Sequence, residues 1–171
     1  LAIDSVTNPT HGTAAIDQNK ITYSPSLNFN GTDSFSYTAS DLHGGTSTST
    51  VSVTVNSVND VPVIQQDSAT VNEDSSVVID ALSNDSDVDE DSLVIDSVTN
   101  PIHGTAIIDQ NKITYSPISN YNGTDSFSYT VSDQHGGTIT GQISIDVTAI
   151  NDAPVSQNDS ATVDEDNSVV I

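Results

Sequence analysis

The sequence repeats itself at a fixed distance. Leu1-Ala-Ile-Asp-Ser-Val-Thr-Asn-Pro9 returns as Leu93-Val-Ile-Asp-Ser-Val-Thr-Asn-Pro101, and the match runs without a gap until Val77-Val78-Ile79 returns as Val169-Val170-Ile171. At this offset of 92, 57 of the 79 aligned positions are identical. Solenoid and propeller units recur every ~20–50 residues; a longer fixed period implies an array of separate domains. Asn59-Asp60-Val61-Pro62 and Asn151-Asp152-Ala153-Pro154 mark the unit boundary. Proline has no N–H for a central ladder, so it closes one domain's last strand and opens the next domain. The expected division is residues 1–58, the C-terminal part of one repeat; 59–150, one complete repeat; and 151–171, the first strands of a third. Leu1 falls inside the repeat unit, which suggests an excerpt from a longer array.

Within the complete repeat, apolar and polar residues alternate with period two, and no helical period is present. Strands are predicted over residues 68–73, 76–81, 93–98, 105–109, 113–116 and 125–133. On a last strand, Ile139, Ile143, Ile145 and Val147 alternate with polar residues. Asn100-Pro101, Asn111-Lys112 and His135-Gly136-Gly137 supply turn chemistry between strands. About seven strands per repeat is the pattern of an immunoglobulin-like sandwich. The predicted fold class is all-β: tandem Greek-key sandwiches of about seven strands around a thin core of Val, Ile, Phe and Tyr.

Two Lys and no Arg stand against 24 Asp plus Glu, a formal net charge of −22. Nothing basic is available to neutralise phosphate, so nucleic acid and anionic membrane surfaces are excluded as partners. No apolar run is long enough to suggest direct membrane insertion. Cysteine is absent, which removes disulfides and thiolate metal sites. The acids are clumped rather than spread, most densely in Asn84-Asp85-Ser86-Asp87-Val88-Asp89-Glu90-Asp91. Alternate aspartates on an irregular loop turn several oxygens toward one point, and hard oxygen ligands without His or Cys select calcium over transition metals.

The stretch Tyr129-Thr130-Val131-Ser132-Asp133, then Gly136-Gly137-Thr138, then residues 143–149 running into Asn151-Asp152-Ala153-Pro154, resembles the final hairpin and interdomain linker of a cadherin repeat. Such cadherin-like repeats occur in tandem in very large bacterial surface adhesins. The resemblance implies Ca2+ between consecutive domains. For the upper junction it implies Asp33, Asn59, Asp60 and Asp133 as ligands, with an Asp-x-Asp that is either Asp85/Asp87 or Asp87/Asp89. For the lower junction it implies Glu73, Asp125, Asn151 and Asp152. Two departures reduce the carboxylate count. Ser57 and Ala149 stand where the family linker carries another Asp, and the acidic pair is reduced to the single Asp33 or Asp125. Fewer or weaker ions per junction are expected.

His11, His43, His103 and His135 fall at two repeat positions, each followed by Gly, and read as turn residues rather than zinc ligands. No Gly-x-Ser-x-Gly elbow or other catalytic motif is present, and a non-enzymatic role is expected. Asn30-Gly-Thr and Asn122-Gly-Thr are formal glycosylation sequons for which a turn is the simpler explanation. The expected function is a calcium-rigidified extender of a secreted bacterial cell-surface adhesin, serving adhesion or biofilm formation, with neighbouring repeats as its partners. The alternative is a carbohydrate-binding or homophilic module, recognising a polysaccharide or cell-surface partner, for which Phe29 and Tyr121 are the exposed aromatic candidates. Residues 1–58 lack the first two strands that residues 153–171 carry, so head-to-tail strand complementation with another copy is also expected.

Overall fold

The computed structural model describes the whole sequence, residues 1–171, as twelve strands without a helix. The first copy of the repeat supplies β1 (Ala2–Val6), β2 (Gly12–Asp17), β3 (Lys20–Pro25), β4 (Gly31–Ser40) and β5 (Thr46–Val55). The second supplies β6 (Asp67–Asn72), β7 (Val77–Ile79), β8 (Val94–Val98), β9 (Gly104–Asp109), β10 (Lys112–Pro117), β11 (Gly123–Ser132) and β12 (Thr138–Thr148). Residues 151–171 are exposed and carry no strand. With no helix present, none is long and apolar enough to cross a membrane.

The seven strands from β6 onward form a four-stranded sheet, β6-β12-β11-β8, and a three-stranded sheet, β7-β10-β9. The earlier strands form β1-β4-β5 and β2-β3. Period-two alternation explains these elements. On β12, Ile143, Ile145 and Val147 are buried between exposed Ser144, Asp146 and Thr148; on β11, Phe127, Tyr129 and Val131 are buried. Each such side chain contributes about 1.5–3 kcal/mol over leaving it in water. Tyr115 and Phe127 lie with ring centroids 6.0 Å apart and planes 9° from parallel, and Tyr23 and Phe35 repeat the arrangement at 6.1 Å and 10°.

The β9–β10 hairpin closes through Gln110 and Asn111, both at positive φ (47° and 62°), with Asp109 paired to Lys112. This two-residue loop matches the right-handed twist of its strands. It lies one residue earlier than the predicted Asn111-Lys112 turn, because Lys112 belongs to the ladder. Gln18 and Asn19 repeat it in the first copy (45° and 64°).

The chain gathers into two compact units. One comprises Leu1–Gln65, Leu82–Asp96 and Thr130–Gly141; the other comprises Gln66–Ala81, Ser97–Tyr129 and Gln142–Ile171. The first holds β1–β5 and the whole acidic loop, and the second holds β6, β7, β9 and β10.

Candidate metal centre

Three segments of the first unit converge: the linker around Asn59-Asp60, the acidic loop, and the turn that leaves β11. Asp133 caps that turn and is fully buried. Its Oδ1 accepts the backbone N–H of His135 (2.7 Å) and of Gly137 (2.9 Å), while Oδ2 accepts the Asn59 side-chain amide (2.7 Å). The Asn59 amide, helped by the backbone amides of His135 and Gly137, holds the Asp133 carboxyl below the usual carboxylate range despite its burial.

The acidic loop is fixed by a two-way bridge. Val63 donates to the Ser86 carbonyl at 2.8 Å, and Ser86 donates back to the Val63 carbonyl at 3.0 Å. From there Asp87 Oδ1 accepts the Asp89 N–H at 2.8 Å, and Asp89 Oδ2 accepts the Asp60 N–H of the linker at 2.8 Å. Asp91 Oδ2 lies 3.0 Å from His135 Nδ1. One carboxylate oxygen each from Asp87, Asp89 and Asp91 falls within 4.8 Å of the others. Asp87 Oδ2 is buried with no hydrogen-bond partner. A desolvated anionic oxygen is costly unless a cation or donor meets it, and the donors gathered here are hard oxygens, which suits calcium.

Of the two Asp-x-Asp alternatives, the one that converges is Asp87/Asp89. Asp85 turns to the chain entering the repeat, where its Oδ1 accepts the Gln65 N–H at 2.9 Å. Asp91 was absent from the expected ligands, although its spacing extends the alternation of Asp87 and Asp89 by two residues.

Asp33 and Asp125 are used differently. Asp125 is 8 % exposed and accepts the Tyr115 hydroxyl and His103 N–H (both 2.9 Å), together with the N–H groups of Ile102 and Ser126. Asp33 accepts the corresponding donors: Tyr23 hydroxyl and the N–H groups of Thr10, His11 and Ser34. Burial raises the Asp33 carboxyl, but the four hydrogen bonds together outweigh it and leave it lowered. Both carboxylates thus bind a tyrosine and a loop of their own repeat, and neither belongs to the Asp87–Asp91 cluster.

In the second unit, buried Glu73 accepts the Ile150 N–H at 2.6 Å, and its own N–H donates to the Thr148 carbonyl. The Asn151 side chain donates to the Asp152 carbonyl at 3.1 Å, as Asn59 does to Asp60 at 3.0 Å. Both linkers therefore share this local hydrogen bond. His11 stacks on Phe29 (centroids 4.4 Å apart) and His103 on Tyr121 (4.2 Å), so one face of each aromatic candidate is covered.

The family model described as bacterial Ig domain matches residues 1–54 and again residues 59–146. The chain belongs to the bacterial Ig domain family. No curated protein matches its sequence. Among solved structures, this bacterial Ig domain chain is similar to human mucin-like protocadherin EC1-2, at 17% identity and a TM-score of 0.50, covering 85% of this chain and 84% of that one. It is also similar to the extracellular cadherin domains 1-5 of protocadherin gamma B2, at 12% identity and a TM-score of 0.50, covering 88% of this chain and 34% of that one. An endo-fucoidan hydrolase from glycoside hydrolase family 107 aligns at 22% identity and a TM-score of 0.43. The chain spans only 24% of that hydrolase's length. The bacterial Ig domain repeat is thus cadherin-like in fold.

Proposed function

We propose that this chain is a calcium-rigidified extender from a bacterial cell-surface adhesin, a non-catalytic stretch that holds other parts of the protein away from the cell. The observation that carries the reading is the convergence of Asp87, Asp89 and Asp91, with a buried, unpartnered Asp87 oxygen, on a linker hydrogen-bonded to Asp89 and Asp133. Calcium there would be held by Asp87, Asp89 and Asp91, with Asn59, Asp60 and Asp133 around it. Glu73, Asn151 and Asp152 would form the corresponding half-site of the next junction. The ion supplies positive charge among carboxylates that otherwise repel. The chain's own part is to fix the loop through Val63–Ser86 and the linker through Asn59–Asp133, so that ion binding sets the linker's path.

In this reading residues 1–58, 59–150 and 151–171 are successive pieces of a repeat array. The array is extracellular, and its immediate partners are neighbouring repeats. Extracellular modules bind calcium at about 10⁻⁴–10⁻³ M, and the modest carboxylate count fits that range. A polysaccharide-binding role draws less support, since Phe29 and Tyr121 each have a face stacked on histidine.

Calorimetry and small-angle scattering test the reading together. Millimolar calcium should raise the melting temperature and extend the scattering profile relative to chelator. Superimposable melting curves and profiles in the two conditions would overturn it.

A further inference from the structure

A strand edge exposes N–H and C=O groups that another strand can complete, and soluble proteins guard their edges with charges, prolines, bulges or short strands. The two sheets of the β6 to β12 repeat have four edges. β8 carries exposed Asp96 at its centre, and β6 lies between Asp67 and Glu73. β7 spans three residues and runs into Asp80, which pairs with Lys112 at 2.8 Å. β9 is the exception. It pairs with β10 on one side only, over six uninterrupted positions from Gly104–Pro117 to Asp109–Lys112. In a chain of net charge −22 its single charge is its last residue, Asp109. All seven strands of this repeat are present, and β9 remains at the edge.

The side chains on this edge are apolar where water would favour polar ones. Ile107 is 60% exposed and Ile108 37%. Across the outer face of the sheet Ile107 lies opposite Thr114, and Thr114 lies opposite Val78, itself 62% exposed. This row runs out to the open edge and stops at Ile107. On β2 the corresponding residue is Ala15, so the larger apolar contact belongs to β9.

We propose that β9 is a lateral self-association edge, pairing antiparallel with β9 of a second molecule about a two-fold axis at Ile107. An unpaired edge selects a strand as its occupant, and the pattern of β9 selects β9 itself. Centred at Ile107, the pairing sets the two Ile107 side chains against each other on the outer face. Thr105 then lies opposite Asp109 of the second molecule and Ala106 opposite Ile108, so hydroxyl meets carboxylate and apolar meets apolar. A register two residues to either side would instead set Ile107 against Asp109 or Thr105. The two Asp109 residues stand four positions apart along the pair, about 13 Å, which exceeds the screening length of about 8 Å at physiological salt. The same patch serves both molecules, so the contact closes as a dimer rather than propagating. The charge of −22 on each chain opposes this approach, so association should strengthen as salt screens it.

The test is site-specific cross-linking of the 171-residue chain in chelator, where calcium binding plays no part, so failure here and failure of the calcium reading are distinguishable. The chain has no cysteine, so Ile107→Cys supplies its only thiol. Across the two-fold axis the two Cβ atoms would lie about 4.5–5.5 Å apart, close to the ~3.5–4.5 Å of a disulfide. Val78→Cys is the control: it is equally exposed, but the two Val78 positions would be five strand spacings apart, ~24 Å. Under mild oxidant at high sodium chloride, Ile107→Cys should form a disulfide dimer at least about tenfold faster than Val78→Cys. Sedimentation of wild type should show a dimer whose share rises with sodium chloride, and Ile107→Glu, which sets like charges opposite each other, should remain monomeric with an unchanged melting curve. Equal cross-linking rates for the two cysteine variants, a wild-type chain that stays at 17.8 kDa at high salt, or an Ile107→Glu variant that dimerises like wild type overturns the proposal.

Discussion

At Gly137 an added Cβ would run into the Asp133 carboxylate and come within 3.1 Å of the Val61 Cα, whereas at Gly136 it would meet nothing within 4 Å. Gly136 has a different constraint, a φ of 111° that L side chains rarely adopt. Gly136→Ala and Gly137→Ala should therefore both lower the melting temperature, at about 4–8 °C per kcal/mol lost for a domain of this size. Only Gly137→Ala should also weaken calcium binding, because it alone displaces Asp133. Paired melting curves and calcium titrations of the two variants check this. Asp33 supports a pH prediction. Its folded carboxyl is lowered, so the unfolded chain takes up the proton first as pH falls. The stability it adds is complete above the unfolded value of about 3.9 and is lost as pH descends through the folded value. Asp33→Asn should lower stability at neutral pH and flatten the acid limb of a pH–stability curve. Parallel curves for variant and wild type would contradict that account.

The acidic loop shows how far an element can be read before its fold is known. Its oxygen chemistry follows from spacing alone, but the choice between Asp85/Asp87 and Asp87/Asp89 does not. The structure adds that Val63 and Ser86 are bridged, that Asp85 accepts the Gln65 N–H, and that Asp87 and Asp89 share a cluster with Asp91. The hydrogen bonds of Asp125 were equally hidden, since Tyr115 and the loop amides of Ile102 and His103 reach it only once the strands are assembled. The strands themselves were legible because alternation on β11 and β12 is a local signal. Exchanging Asp87 and Asp89 together for Asn should weaken calcium binding at least about tenfold, since the amide keeps an oxygen but loses the charge. Exchanging His43 and His135 for Gln should change it far less. Isothermal titration of both variants decides, and equal losses would favour a nitrogen-ligated metal.

At the scale of the whole molecule the net charge of −22 makes two cation effects separable. Sodium chloride screens distant carboxylates over about 8 Å at physiological strength, so it should raise the melting temperature of wild type and of the Asp87/Asp89 double variant alike. Calcium at about a hundred times its dissociation constant adds about 2.7 kcal/mol through the native state alone. The excess of calcium over sodium at matched ionic strength should appear in wild type and vanish in the variant. An equal response to both salts would reduce the acidic loop to a screened surface.

The parallel pairing of β6 with β12 has a mechanical meaning. These are the first and last strands of the second copy, side by side from Asp67–Ile143 to Asn72–Thr148. Tension pulls one from its N-terminal end and the other from its C-terminal end, so the two must slide lengthwise past each other before they part. The ladder between them is loaded in shear, its bonds sharing the force at once rather than failing one after another as in a peeled hairpin. A tether built of such units would hold under drag and yield abruptly, one repeat at a time.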